Sequence, residues 1–240
     1  VHWDGDVVAR RIERLGAITL SERPLKDPPR DLIEAALRDG LRREGLSLLR
    51  WSPNAVNLRS RLAFCRSVEP TADWPDMSDA ALVEQVDTWL GPELRRARRR
   101  GDLATLNLVP ALQRLLDYRH TARLDTVAPE RIRVPSGSAI KLDYEADFDH
   151  PGPPVLAVKL QETFGWSTAP RIADGKVPIV LHLLSPAGRP VAVTSDLASF
   201  WAGTYRTQRA QLRGAYPRHP WPEDPTTATP TKRVTARRQK

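Results

Sequence analysis

The chain predicts an α+β fold, and three observations carry the prediction. Residues 27–128 hold a succession of amphipathic, cap-punctuated helical stretches. From residue 129 the pattern changes to strand alternation around hairpin turns, predicting a mainly antiparallel β region. One helical segment closes that region, and the regular βαβ alternation of a parallel sheet is absent. With 240 residues, 40% of them hydrophobic, the chain can bury a sizeable core as one domain or two.

The elements follow in order. VHWDGDVVARRIERLGAITL carries an Asp4-Gly5 turn, with Val8, Ile12, Ile18 and Leu20 at strand-like positions, and predicts a hairpin. A lone hairpin does not stand by itself, so the chain reads as the C-terminal piece of a longer protein. After the proline-rich connector SERPLKDPP, Asp27 before Pro28 predicts an N-cap. The helix that follows runs to about Leu49, with Leu32, Ile33, Ala36, Leu37 and Leu41 on one face. Ser52-Pro53 opens the next, lined by Ala55, Leu58, Leu62 and Cys65, and Ser78 caps a third through Leu82, Val86, Trp89 and Leu90. Further helical segments are expected at about 92–100, 108–117 and 119–127. ERIRVPSGSAIKLDY predicts a hairpin around Pro-Ser-Gly-Ser, and PPVLAVKLQ predicts a strand. VPIVLHLLSP and PVAVTSD predict two more strands, joined at Ala187-Gly188-Arg189. The closing helix is expected over about 195–212, with Leu197, Phe200, Trp201 and Tyr205 at helical spacing. AYPRHPWPED, with three prolines, is too proline-rich for helix or inner strand and should lie extended as a clasp, Tyr216 and Trp221 docking on the β region or last helix. Residues 226–240 are expected to form a disordered basic tail.

The formal charge of +8 is unevenly distributed. Residues 226–240 hold five basic residues and no acid, and without them the net falls to +3. The run RRARRR at 95–100 holds five more arginines, so the body is close to neutral. Each run fits a solvated surface or a phosphate-contacting patch. No apolar stretch is long enough to cross a membrane as a helix, no secretory signal opens the chain, and the single Cys65 forms no internal disulfide. A cytoplasmic setting is the expectation.

Catalytic motifs are missing. There is no phosphate loop and no G-x-G-x-x-G turn, and the five histidines lack the paired spacing of a zinc site. Asp143, Glu145, Asp147 and Asp149 lack the glycine and geometry of a calcium loop, and read as a solvated acidic loop. The chain's own residues therefore predict no catalytic residue, no metal ligand and no cofactor. What remains is a case for nucleic acid. Arg131, Arg133 and Lys141 flank the first β-region hairpin, and Lys159 follows. Arg206, Arg209 and Arg213 recur at i, i+3, i+7 as a ridge on the closing helix. Such cations suit successive phosphates of single-stranded RNA or DNA, with Trp166 or Tyr205 stacking a base. The other reading of the ridge is the solvent face of an amphipathic helix.

Longer strings carry a resemblance. RLGAITLSERPL (14–25), NLRSRLAF (57–64), WPDMSD (74–79), IRVPSGSAIKLDY (132–144), VLAVKLQETFG (155–165), VPIVLHLLSPAGRPVAVTSDLASFW (177–201) and YPRHPWPEDP (216–225) span nearly the whole chain. Together they resemble the C-terminal region of bacterial HrpB-type ATP-dependent helicases of the DEAH-box class. The resemblance implies that residues 1–26 end an OB-like module. It implies a helical part over 27–128 and a β-rich part with closing helix and clasp over 129–225. It also implies a parent helicase acting on RNA, with ATP and Mg held in an upstream RecA-like core that would be this region's partner. No catalytic position of that core has a counterpart here. The expected role is an accessory one, in single-stranded nucleic-acid binding and packing on the core, or alternatively as a protein-interaction module. The RRARRR run lies outside the resemblance.

Overall fold

The structure, a computed structural model, describes residues 1–232. It divides into two compact units, one of residues 1–121 with Phe148–His150, the other of residues 122–147 and 151 onward. Mixed helix and strand content bears out the α+β expectation.

In the first unit the opening residues form two hairpins where the sequence predicted one. β1 (His2–Trp3) and β2 (Val7–Val8) pair around Gly5 at φ 68°, and β3 (Arg10–Leu15) and β4 (Ile18–Pro24) pair around Gly16 at φ 59°. Two glycines in the left-handed region allow two tight reversals. Trp3 is buried against α1 (Arg30–Glu44): its Nε1 donates to Glu44 Oε1 at 2.6 Å, and its ring occupies the space above Gly40. The second hairpin is different. Leu15 and Leu20 are 68% and 63% exposed, and Ile12 and Ile18 are exposed as well.

α1 begins one proline later than expected. Pro29 is extended (φ −53°, ψ 139°) and occupies the cap position, so Asp27 stands too far upstream to cap and its side chain is solvated. The two serine caps form as predicted. Ser52 Oγ accepts from Ala55 N at the start of α2 (Pro53–Val68), and Ser78 Oγ accepts from Ala81 N at the start of α3 (Asp79–Glu84). The predicted third helix does not continue to Leu90. It breaks at Gln85 into α3, α4 (Val86–Trp89) and α5 (Gly91–Leu94), although Leu82, Val86, Trp89 and Leu90 all stay buried. Burial of those four requires only successive turns facing one side.

The arginine run is largely outside helix. Asp102 accepts from the amides of Arg98 and Arg99 at 2.8 and 3.3 Å, turning the chain into α6 (Arg100–Leu103). Arg100 donates its amide to Asp6 and its guanidinium to Gly5 O and Glu44. Arg100 is therefore a structural residue that fastens the first hairpin. α7 (Leu108–Gln113) and α8 (Tyr118–Val127) follow, the latter running on into the second unit.

Arg59 is the unusual member of the first core. It is 3% exposed, donates from Nε and NH2 to Met77 O at 2.8 and 2.5 Å, and pairs with Asp79 at 2.6 Å. Its guanidinium lies 3.6 Å from the Phe148 ring centroid and 4.8 Å from that of Trp51. The acidic loop expected to be fully solvated thus places one residue, Phe148, half-buried on a buried cation.

In the second unit, β5 (Arg131–Arg133) and β6 (Ala139–Lys141) form the predicted hairpin, with Gly137 at φ 82° in its turn. Glu162 holds the turn by accepting from Ser136 Oγ at 2.6 Å and from Ser138 Oγ. A three-stranded sheet in the order β11 (Pro190–Thr194), β10 (Val180–Leu184), β7 (Val155–Lys159) forms the centre. β10 pairs antiparallel with β11 as expected, but parallel with β7, so the sheet is mixed. The crossover between the parallel strands carries a short two-stranded piece, β8 (Arg171–Ile172) with β9 (Val177–Pro178). Leu156, Val158, Leu181 and Leu183 bury the alternating face.

The closing helix is two helices. α9 (Leu197–Ala202), capped by Asp196 through Ser199 N, stops at Gly203 (φ −117°, ψ −82°), and α10 (Thr204–Ala215) starts anew. Beyond it the chain is extended and docked. Trp221 is 7% exposed and donates Nε1 to Tyr216 O, while Pro225 O accepts from Gly165 N. Trp74, which like Trp221 precedes a proline and an acid, likewise donates its indole N–H five residues back, to Glu69. Thr231 N donates to Gln161 O, so the chain is hydrogen-bonded beyond residue 225, inside the stretch expected to be disordered. The rest of that expected tail, 233–240, lies outside the described residues.

Candidate nucleic-acid interface

The β5–β6 register decides where the hairpin cations sit. Arg131 pairs with Lys141, Ile132 with Ile140, and Arg133 with Ala139. Cross-strand partners share a face and neighbours alternate, so Arg131, Arg133 and Lys141 fall on one side and the isoleucines on the other. All three cations are exposed, whereas Ile132 and Ile140 are half-buried. Arg131 donates to Ala139 O at 3.0 Å and Arg133 to Gly137 O at 3.4 Å, so both side chains lie across the hairpin. Each guanidinium keeps further N–H groups, enough to meet a phosphate. No carboxylate pairs with any of the three among the described residues.

The ridge on α10 is less uniform than its spacing suggests. Arg206 and Arg213 are exposed. Arg209 is engaged: its Nε donates to Trp221 O at 2.8 Å, and its NH2 lies 3.3 Å from Glu223. Arg209 therefore anchors the docked segment, and the i+3 position serves packing where the spacing predicted a phosphate contact. Lys159, at the end of β7, is half-buried near His219, whose pKa is lowered first by burial and then by the Lys159 charge. His219 Nδ1 lies 2.9 Å from Gln161 Nε2.

The two aromatic candidates differ as well. Tyr205 is 2% exposed, in ring contact with Phe164, Phe200 and Trp201, and donates its hydroxyl to Pro222 O at 2.9 Å. Burial pushes its pKa up to about 12 against the opposing charge of Arg209. A ring enclosed in this way has no face to offer a base, so the stacking expectation for Tyr205 is corrected. Spacing from Trp201 at i+4 marks core packing here. Trp166 is half-buried, and its carbonyl accepts from Trp201 Nε1 at 2.8 Å.

Sequence spacing missed two residues beside α10. Gly203 breaks the helix, and Glu223 comes back across the chain to stand beside Arg209. Glycine within a helical stripe was the available signal for the first, while nothing local signalled the second.

The family described as ATP-dependent helicase C-terminal (HrpB_C) matches residues 89–225. The chain is 41% identical over 237 residues to the ATP-dependent RNA helicase HrpB of Escherichia coli (strain K12), covering 98% of this chain and 29% of that protein. A crystal structure of the E. coli DExH-box NTPase HrpB matches with a TM-score of 0.80 at 38% identity, over 95% of this chain and 30% of that one. A crystal structure described as the E. coli DEAH/RHA helicase HrpB matches with a TM-score of 0.70, also at 38% identity, over 90% and 28%. The chain thus spans under a third of the length of these relatives. It belongs to the HrpB_C family, the C-terminal region of ATP-dependent helicases.

Proposed function

We propose that this chain is an accessory region of an ATP-dependent RNA helicase that binds single-stranded nucleic acid through its second unit. The observation that carries the reading is the β5–β6 hairpin, which aligns Arg131, Arg133 and Lys141 on one exposed face, none of them ion-paired among the described residues. Three cations along a strand pair give phosphates of a single strand successive partners, and phosphate contacts need no particular base sequence. Lys159, Arg206, Arg213 and the half-buried Trp166 belong to the same unit and extend the proposed cationic and stacking surface.

ATP and Mg belong, in this proposal, to the RecA-like core of the parent. The sequence has no phosphate loop. Among the described residues no group of three or more His, Cys, Asp or Glu side chains could hold a metal ion. The residues here do not fit an ATP–Mg site, and no step of hydrolysis is assigned to them. No described helix is long and apolar enough to cross a membrane. A cytoplasmic setting is part of the proposal, as suits a helicase acting on RNA.

A second reading applies to the first unit, where the exposed apolar residues of β3 and β4 favour protein packing. Such a two-stranded ribbon is marginal alone and is stabilised when further strands cover it. We place it as the end of an OB-like module completed by preceding chain of the parent.

Fluorescence anisotropy with labelled single-stranded RNA tests the first reading. Replacing Arg131, Arg133 and Lys141 together with alanine should weaken binding about equally across RNA sequences at low salt. No binding by the unaltered chain at low salt, or no loss in the triple variant, contradicts it.

A further inference from the structure

The break at Gly203 opens a cleft of about 620 Å³ whose walls include Trp201, Gly203, Tyr205, Arg206, Arg209 and Glu223. Its volume lies within the usual range for ligand pockets, about 300–1,000 Å³. Its charges are arranged unequally. Arg209 is fixed at one side by Trp221 O and Glu223, so its guanidinium is positioned before any ligand arrives. Arg206, one helical turn earlier, has no ion-pair partner among the described residues and reaches the same cleft. Glu223 is 88% exposed and meets Arg209 through one carboxylate oxygen, leaving the other to accept a second donor. Trp201 and Tyr205, both buried in the core, close the floor of the cleft without opening a ring face into it.

A ligand that satisfies these walls needs an anionic group for Arg206 and an N–H donor for Glu223. A simple anion leaves Glu223 facing like charge, and a cation meets two arginines. A nucleotide supplies both, a phosphate for the guanidinium and an exocyclic amino group for the carboxylate. We propose that this cleft takes one unstacked nucleotide of a single strand, its phosphate on Arg206 and the exocyclic amino group of its base on Glu223. The inference rests on the nucleic-acid reading above and adds to it a preference among bases. Cytosine presents an amino donor where uracil presents a carbonyl oxygen, so a carboxylate there accepts from the first and repels the second.

The test compares labelled oligo(rC) and oligo(rU) of equal length by anisotropy at neutral pH, with the intact chain. Oligo(rC) should bind about threefold to tenfold more tightly, the worth of one partly solvated hydrogen bond to a charged acceptor. Glu223→Gln should remove the preference, because an amide both donates and accepts; the exposed side chain makes this a test of recognition more than of folding. Arg206→Ala should weaken both ligands by the same factor and leave the preference intact. Equal binding of the two oligonucleotides, or a preference that Glu223→Gln leaves unchanged, overturns the cleft assignment while the nucleic-acid reading stands. Failure to bind either oligonucleotide at low salt overturns both.

Discussion

Substituting Arg59 with methionine keeps much of the stem's volume and removes every polar contact of the guanidinium. In the folded chain Arg59 donates twice to Met77 O, pairs with Asp79, and lies against the rings of Phe148 and Trp51. Loss of both donors leaves a carbonyl oxygen in a buried setting at a cost of about 1–3 kcal/mol. Loss of the two ring contacts adds about 1–2 kcal/mol together. The opposing effect is relief of the burial that lowers the Arg59 pKa, since a neutral side chain needs no desolvation. The balance is a destabilisation of about 2–3 kcal/mol. Asp79 does not become a buried orphan, because its side chain is 73% exposed. With two compact units a single global midpoint is ambiguous, so the assay should be local hydrogen–deuterium exchange. Peptides over 76–84 and 143–150 should exchange about 30-fold faster or more, while those over β10 and β11 should not change. Exchange within twofold of the unaltered chain at 143–150 refutes the claim that Arg59 holds Phe148.

Other expectations follow from the same packing. Trp221→Ala removes a buried indole and its bond to Tyr216 O, and should cost about 3–5 kcal/mol by denaturant titration; a loss under about 1 kcal/mol contradicts the docked segment. Gly40→Ala drives a Cβ into the Trp3 ring, and should cost about 1–3 kcal/mol with a shift in Trp3 fluorescence; an unchanged midpoint and spectrum contradict it. His219 has a folded-state pKa below its unfolded value, so its neutral form favours folding. Its contribution is complete above about pH 6.5 and is lost as pH falls through the folded pKa, and a His219→Gln variant should lose that part of the pH dependence in thermal melts.

Some of this was legible in the sequence because its causes are local. Ser52 and Ser78 cap helices through groups three residues away, and the Pro-Ser-Gly-Ser turn fixes the register that aligns Arg131, Arg133 and Lys141. The rest depends on partners distant in the chain. β7 pairs in parallel with β10 across a crossover whose own residues carry turn and hairpin signals, so the sequence read as antiparallel neighbours. Nothing near Arg59 in the sequence marks it as buried, because Met77 O, Asp79 and Phe148 reach it from 18 or more residues away. Arg209 shares its spacing with Arg206 and Arg213, and only the return of the chain at Trp221 and Glu223 separates their roles. Tyr205 likewise looked like a stacking ring, because helical spacing shows that two aromatics share a face without showing what covers it.

The most direct test of the central claim is the salt dependence of single-stranded RNA binding, measured for the unaltered chain and for the Arg131, Arg133 and Lys141 triple alanine variant. Each phosphate contact to a single strand contributes a slope of about −0.7 in log affinity against log salt. Removal of three contacts should therefore flatten the slope by about two units. Identical slopes for the two proteins contradict a phosphate-binding face on the β5–β6 hairpin.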